Sequence, residues 1–161
     1  MKTLLIPLLL FIPFLMKAGG TDVKVYKGTS SYTSDVICTV RGAKVYKANS
    51  SYTSDVICNI REGGRIFKGT SSYTADVLYT IRNGKVYKGN SSYSADVVFT
   101  IRDGKVYRGN SSYTSDIVAT LRDGRIYSGT STYTSDVLAH YSGNLTIEQF
   151  VAVLHTVFYV Y

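Results

Sequence analysis

Asp76-Val77-Leu78-Tyr79-Thr80-Ile81-Arg82-Asn83-Gly84-Lys85-Val86-Tyr87-Lys88 is the stretch whose reading decides the fold, because nearly the same wording recurs from about Asp22 to Gly143 every twenty residues or so. It reads as a β-hairpin. Asn83-Gly84 tolerates the positive φ angles of a type I′ turn, whose twist matches that of the flanking strands. A two-residue turn fixes the pairing: Arg82 opposite Lys85, Ile81 opposite Val86 and Thr80 opposite Tyr87. Val77, Tyr79, Ile81 and Val86 then form the buried face. Leu78, Thr80, Arg82, Lys85 and Tyr87 form a second, partly wet face.

The copies align on Lys24-Val25-Tyr26, Lys44-Val45-Tyr46, Arg65-Ile66-Phe67, Lys85-Val86-Tyr87, Lys105-Val106-Tyr107 and Arg125-Ile126-Tyr127. A fixed short period signals an array in which each unit buries its apolar face only against its neighbours. Asp103-Gly104 and Asp123-Gly124 repeat the turn, Gly42-Ala43 is a weaker version, and Glu62-Gly63-Gly64 predicts a three-residue loop with a glycine bulge. Across copies the second face becomes a basic row, with Arg82 and Arg102 at its centre, beside an aromatic row that includes Tyr87 and Tyr107.

Between copies runs a hydroxyl-rich segment such as Gly69-Thr70-Ser71-Ser72-Tyr73-Thr74-Ala75-Asp76. Its closing Asp is expected to accept backbone N–H groups as an Asx-type cap. One aromatic recurs in all six segments, giving the row Tyr32, Tyr52, Tyr73, Tyr93, Tyr113 and Tyr133. A repeated loop aromatic can stack on a sugar ring while Ser, Thr and Asn bond its hydroxyls, which makes this row the main ligand-binding candidate, joined by Arg82, Arg102, Tyr87 and Tyr107. Packing of each ring on the edge of its neighbour is the plainer reading of the same row. Asn49, Asn90, Asn110 and Asn144 head N-x-S/T sequons and read as loop residues.

The last copy departs from the pattern at Val137-Leu138-Ala139-His140-Tyr141, and no further hairpin follows. Thr146-Ile147-Glu148-Gln149 has the form of a capping box, opening a helix toward Val160. Ile147, Phe150, Val151, Leu154, Phe158 and Tyr161 fall on one face, so the helix is expected to lie as a lid over the final repeat. The first strand, near Val23, and the last, near Val137, lack turn-linked partners. The reading is all-β: six repeats in an open β-solenoid or superhelix closed by a C-terminal capping helix, the alternative being a closed six-unit ring, propeller- or barrel-like.

Residues 1–20 carry Lys2, an apolar run from Leu4 to Met16, and small residues at Ala18, Gly19 and Gly20, the layout of a Sec-type signal peptide. The expected organisation is this leader, a repeat domain over 21–143 and a helix over 144–161. Export places the protein in the secreted, cell-surface or periplasmic space, with no stable transmembrane span, the run being short for a spanning helix. Without Lys2 and Lys17 the formal charge falls from +7 to +5. A moderate basic excess in an exported chain points to glycans or anionic cell-envelope polymers as partners before nucleic acid.

Catalysis finds no foothold in the sequence. His140 and His155 are the only histidines, the Asp row from Asp35 to Asp136 offers one carboxylate per copy, and no serine sits in a nucleophile elbow. No enzyme activity, metal or cofactor is therefore expected. Cys38 and Cys58 occupy equivalent places in successive copies, and a strand between them would put them about 9–10 Å apart, too far to bridge. The chain resembles exported bacterial tandem-repeat proteins of unassigned function, built from KVYKGNSSYTSDVL-like units and closed by an LTIEQF-type helix, over about Asp22 to Tyr161. In unit length alone it is similar to choline-binding repeats, whose cages are rich in Trp, a residue this chain lacks. The functional expectation is a non-enzymatic surface binding or adhesion module. A spacer or self-associating subunit is the alternative.

Overall fold

The computed structural model describes residues 22–160, so the leader read at 1–20 lies outside the described residues. Twelve strands follow in order: β1 (Val23–Lys27), β2 (Val36–Arg41), β3 (Lys44–Lys47), β4 (Val56–Arg61), β5 (Arg65–Lys68), β6 (Val77–Arg82), β7 (Lys85–Lys88), β8 (Val97–Arg102), β9 (Lys105–Arg108), β10 (Ile117–Arg122), β11 (Arg125–Ser128) and β12 (Val137–Tyr141). Each pairs antiparallel with its chain neighbours, and β1 pairs with β12, so the sheet is a closed barrel. The open solenoid is thereby corrected in favour of the ring.

Closure follows from the repeat itself. In an internal copy the Gly89 N–H donates to the Leu78 carbonyl, and Thr80 Oγ1 donates to the Gly89 carbonyl at 2.8 Å. At the seam the Gly28 N–H donates to the Leu138 carbonyl, and His140 Nδ1 lies 2.8 Å from the Gly28 carbonyl. His140 also stacks on Tyr26, with ring centroids 5.3 Å apart. The residue that broke the pattern therefore completes the contact that threonine makes in four other copies and Asn59 makes in the fifth. The two unpartnered strands are the halves of one split unit.

Arg82 pairs with Lys85, Ile81 with Val86 and Thr80 with Tyr87, as the turn predicts. Asn83, Asp103 and Asp123 have φ of 50–52°, and the loop at 62–64 holds three residues with Gly63 and Gly64 at positive φ. Gly124 is required twice over, since its φ is +70° and an added Cβ would lie 2.4 Å from the Tyr141 carbonyl oxygen.

One feature of register departs from simple alternation. A bulge in β6 lets Tyr79 pair with Ile66 and Val77 with Phe67, leaving Leu78 as the extra residue. The bulge recurs at the corresponding place in the other repeats. Val77 consequently moves to the outer face beside Phe67, while Leu78 packs against the core. The outer face is also drier than expected, because Thr80 is fully buried there.

The interior is filled by rings of inward side chains and by a helix. Val25, Val45, Ile66, Val86, Val106 and Ile126 are all 0 % exposed. At a strand spacing of about 4.8 Å and a typical tilt near 40°, twelve strands put the wall roughly 12 Å from the axis. That leaves room for one helix about 10–12 Å across. Helix α1 (Ile147–His155) occupies it: Phe150, Val151, Ala152, Val153 and Leu154 are consecutive and all buried, which needs protein on every side of the helix.

The capping box forms, with Thr146 Oγ1 accepting the Gln149 N–H and the Gln149 side chain accepting the Thr146 N–H. Gln149 also donates to the Gly42 carbonyl at 2.8 Å, anchoring the helix start to the turn end of the barrel. A π-helical turn (Thr156–Val160) carries the chain on toward the loop end. The helix packs chiefly on β2 to β5, so the lid over the final repeat is corrected to a plug leaning on the early copies. A lid would have left one helix face in water.

Cys38 and Cys58 both point into this interior as free thiols, with β3 lying between their strands. Burial pushes each thiol up to about 12, the neighbouring Cys58 adding to the effect at Cys38 while a bond from Thr156 opposes it. A thiol so protonated is a poor nucleophile. The native protein is expected to show the same mass with and without reductant and to resist alkylation at neutral pH. Denaturant should release two reactive thiols; a native mass difference of two hydrogens would contradict the intervening strand.

His155 ends helix α1 on its loop-end side, with Nδ1 3.1 Å from the Tyr79 hydroxyl and its ring 5.7 Å from that of Tyr159. Burial holds the imidazole below its ordinary value of 6.5 and pushes the Tyr79 hydroxyl up to about 12. The unfolded chain therefore takes the histidine proton more readily than the folded one. Stability contributed by the neutral ring is present above the unfolded value and declines as pH falls through it. Lowering pH from ~7.5 to ~5 is expected to lower Tm, and His155→Gln should flatten part of that slope; equal slopes would remove His155 as the cause.

Candidate functional site

The loops joining successive hairpins all emerge at one end of the barrel, opposite the tight turns. Each starts with a residue at positive φ, Gly28, Ala48, Gly69, Gly89, Gly109 or Gly129, that turns the chain out of the sheet. Each then forms the same hydrogen-bonded unit. Ser91 Oγ donates to the Asp96 carboxylate at 2.5 Å and accepts the Tyr93 N–H at 3.1 Å, and the Asp96 N–H donates to the Tyr93 carbonyl. Equivalent bonds recur in the other five copies. The aspartate thus works through a serine hydroxyl rather than by capping backbone N–H groups with its side chain, which corrects the Asx-type expectation.

This unit fixes the backbone of the tyrosine that it surrounds. Tyr32, Tyr52, Tyr73, Tyr93, Tyr113 and Tyr133 share φ of −78 to −81° and ψ of 137 to 142°. Their side chains are 73–76 % exposed, so they do not cover one another's edges. The sixfold repeat sets them in a circle around the loop end, each beside exposed hydroxyl or amide groups such as Asn90, Ser92 and Ser94. Neighbouring copies are two strands apart, which separates adjacent rings by about 10 Å or more. Six exposed aromatic side chains on a backbone of matching geometry, at regular intervals, are suited to a repeating ligand.

The other sequence candidates lie elsewhere. Arg82 and Arg102 are exposed on the outer face near the tight turns, and the Arg102 guanidinium covers the Tyr107 ring at 5.4 Å. Arg41 and Arg61 cover Tyr46 and Phe67 in the same way. Tyr107 is only 6 % exposed, and Tyr87 is half-buried. The structure therefore brings together the six loop tyrosines and separates them from the arginine row by the height of the barrel.

A second cationic row escapes a sequence reading centred on the arginines. Lys47, Lys68, Lys88 and Arg108 pair with Cys58's counterpart Cys38, with Cys58, with Tyr79 and with Phe99, and Lys27 pairs with Ala139. All five cations are therefore on the lumen-facing side of the wall, exposed at its loop-end rim. The hairpin register carried this signal, since Lys88 falls opposite Tyr79 on the inner face.

Among the described residues, no group of three or more His, Cys, Asp or Glu is placed to hold a metal ion, and no helix is long and apolar enough to cross a membrane. No curated protein and no solved structure matches the chain. Residues 25–154 match the family described as 6-fold beta flower protein, a span that runs from the first strand through the plug, and the chain belongs to that family.

Proposed function

We propose that this protein is an exported, non-enzymatic binding module that holds a polysaccharide or cell-envelope polymer on the circle of six loop tyrosines. The observation that carries the reading is their uniform exposure of 73–76 % in six loops of matching backbone geometry. An apolar ring held in water by a built loop costs solvation and returns nothing to the core, whereas a preformed aromatic face lowers the ordering cost of binding. Hydroxyl and amide groups beside each ring supply the partners for sugar hydroxyls. Weak contacts repeated around the circle add by multivalency.

Closure of the barrel weakens the alternative of β-edge stacking between subunits, because β1 and β12 occupy each other's edges. The test is a binding screen of glycans and cell-wall polymers against the full chain and a variant with all six tyrosines replaced by alanine. Selective binding lost in the variant supports the reading. Equal behaviour of the two proteins toward every polymer would overturn it.

A further inference from the structure

The loop-end mouth of the barrel has features that polymer binding on the tyrosine circle does not use. The plug leans on β2 to β5, and on the opposite wall its last turn leaves a cleft of about 570 Å³ between Phe158, Tyr159 and strands β8 to β10. Phe99, Val98 and Val118 line it, and Arg108 stands at its rim. A second opening, lined by Leu78, Tyr79 and Lys88, shares Val98 and Tyr159 with the first. Volumes of this size suit a small organic ligand rather than a polymer chain.

We infer that this mouth binds a single-chain amphiphile of the fatty-acid class, its tail lying between Phe99, Phe158 and Val118 and its carboxylate meeting Arg108 and Lys88. The lining below the rim is apolar, with Phe99 and Phe158 ring centroids 6.2 Å apart. The rim is cationic: five of the six equivalent positions are Lys or Arg, and the sixth is Ser128. Among the described residues, no Asp or Glu lines either opening. The nearest acidic row, represented by Asp96 and Asp116, is bonded to Ser91 and Ser111 within the loops. An anionic head over this apolar cleft can therefore pair with Arg108 and Lys88, a cationic head meets like charge at those two positions, and a neutral head gains only the tail contacts.

The inward slot filled by Tyr79 and Phe99 in the third and fourth copies is alanine at 119 and 139. Both alanines are fully buried and neither lines the cleft, so the tail lies against Phe99, Val118 and Phe158.

The experiment titrates the full chain by calorimetry with decanoate, decyltrimethylammonium and tetraethylene glycol monodecyl ether, each below its micellar concentration. One equivalent of decanoate should bind, weakening as salt is added, with the cationic analogue at least about tenfold weaker. Lys88→Glu/Arg108→Glu changes only exposed rim residues and should weaken decanoate about tenfold or more while leaving the far-ultraviolet spectrum and the binding of uncharged glycans unchanged. Val118→Trp, which fills the cleft from its wall, should weaken all three amphiphiles. Absence of decanoate binding, equal binding of the cationic analogue, or an unchanged affinity in the rim variant would overturn the inference. Because the six-alanine variant retains this mouth, loss of polymer binding and loss of decanoate binding are separable results.

Discussion

Replacing Leu154 by aspartate is expected to abolish cooperative folding of the whole barrel, although the residue lies outside every strand. Leu154 is 0 % exposed in the interior cluster, among Val, Cys, Ile and Ala side chains contributed by strands from all six copies. Loss of the leucine contacts alone costs about 2–5 kcal/mol. An unpaired carboxyl in that setting adds several kcal/mol, whether it stays charged or takes up a proton. The sum approaches the roughly 5–15 kcal/mol that separates folded from unfolded domains. Leu154→Ala is the graded control, predicted to lower unfolding free energy by about 3 kcal/mol in urea with the m-value unchanged. If Leu154→Asp instead melts cooperatively near the wild-type temperature, the helix is not the filler of the barrel. A lid on one rim would predict that milder result.

How much of this was legible in the sequence differs between elements. Asn83-Gly84 specified its hairpin because the turn dipeptide and the strand register are two views of one local geometry. The bulge at Leu78 was hidden for the opposite reason, since it reconciles the pairing of β6 with β7 on one side and with β5 on the other. Closure turned on His140, whose departure from threonine looked like an end of the array. Only the position of the Gly28 carbonyl, 112 residues away, shows that imidazole and hydroxyl do the same work there.

The plug left a stronger trace than the helical face at Ile147, Phe150, Val151 and Leu154 allowed. Val151-Ala152-Val153-Leu154 is continuous apolar sequence, and a helix apolar all round is an enclosed one. For the site, the loop tyrosines were visible as a row, but their exposure was not. The Ser91–Asp96 bond that holds Tyr93 outward depends on a loop conformation that composition alone does not fix.

Converting Tyr32, Tyr52, Tyr73, Tyr93, Tyr113 and Tyr133 together to alanine is expected to eliminate polymer binding while leaving the barrel folded. Each ring is about three-quarters exposed, so each substitution should change stability by no more than about 0.5 kcal/mol. An aromatic contact worth about 0.6 kcal/mol gives roughly threefold per ring, and six such losses compound to several hundredfold. A series removing one, two, three and six rings should therefore fall steadily on a logarithmic scale, provided one polymer chain spans the circle. Tyr127→Ala is the contrasting case. That ring is 6 % exposed on the outer face, and its removal should cost about 3–5 kcal/mol of stability with binding per folded molecule retained. Point substitution is the right instrument here because deleting whole repeats would change the strand number, and with it the circumference that fits the plug. Retention of wild-type affinity within about twofold by the six-alanine protein would place any binding elsewhere on the barrel. A steep fall on loss of one particular tyrosine would mean a single pocket rather than a repeating face, since sixfold equivalence requires the rings to share the load.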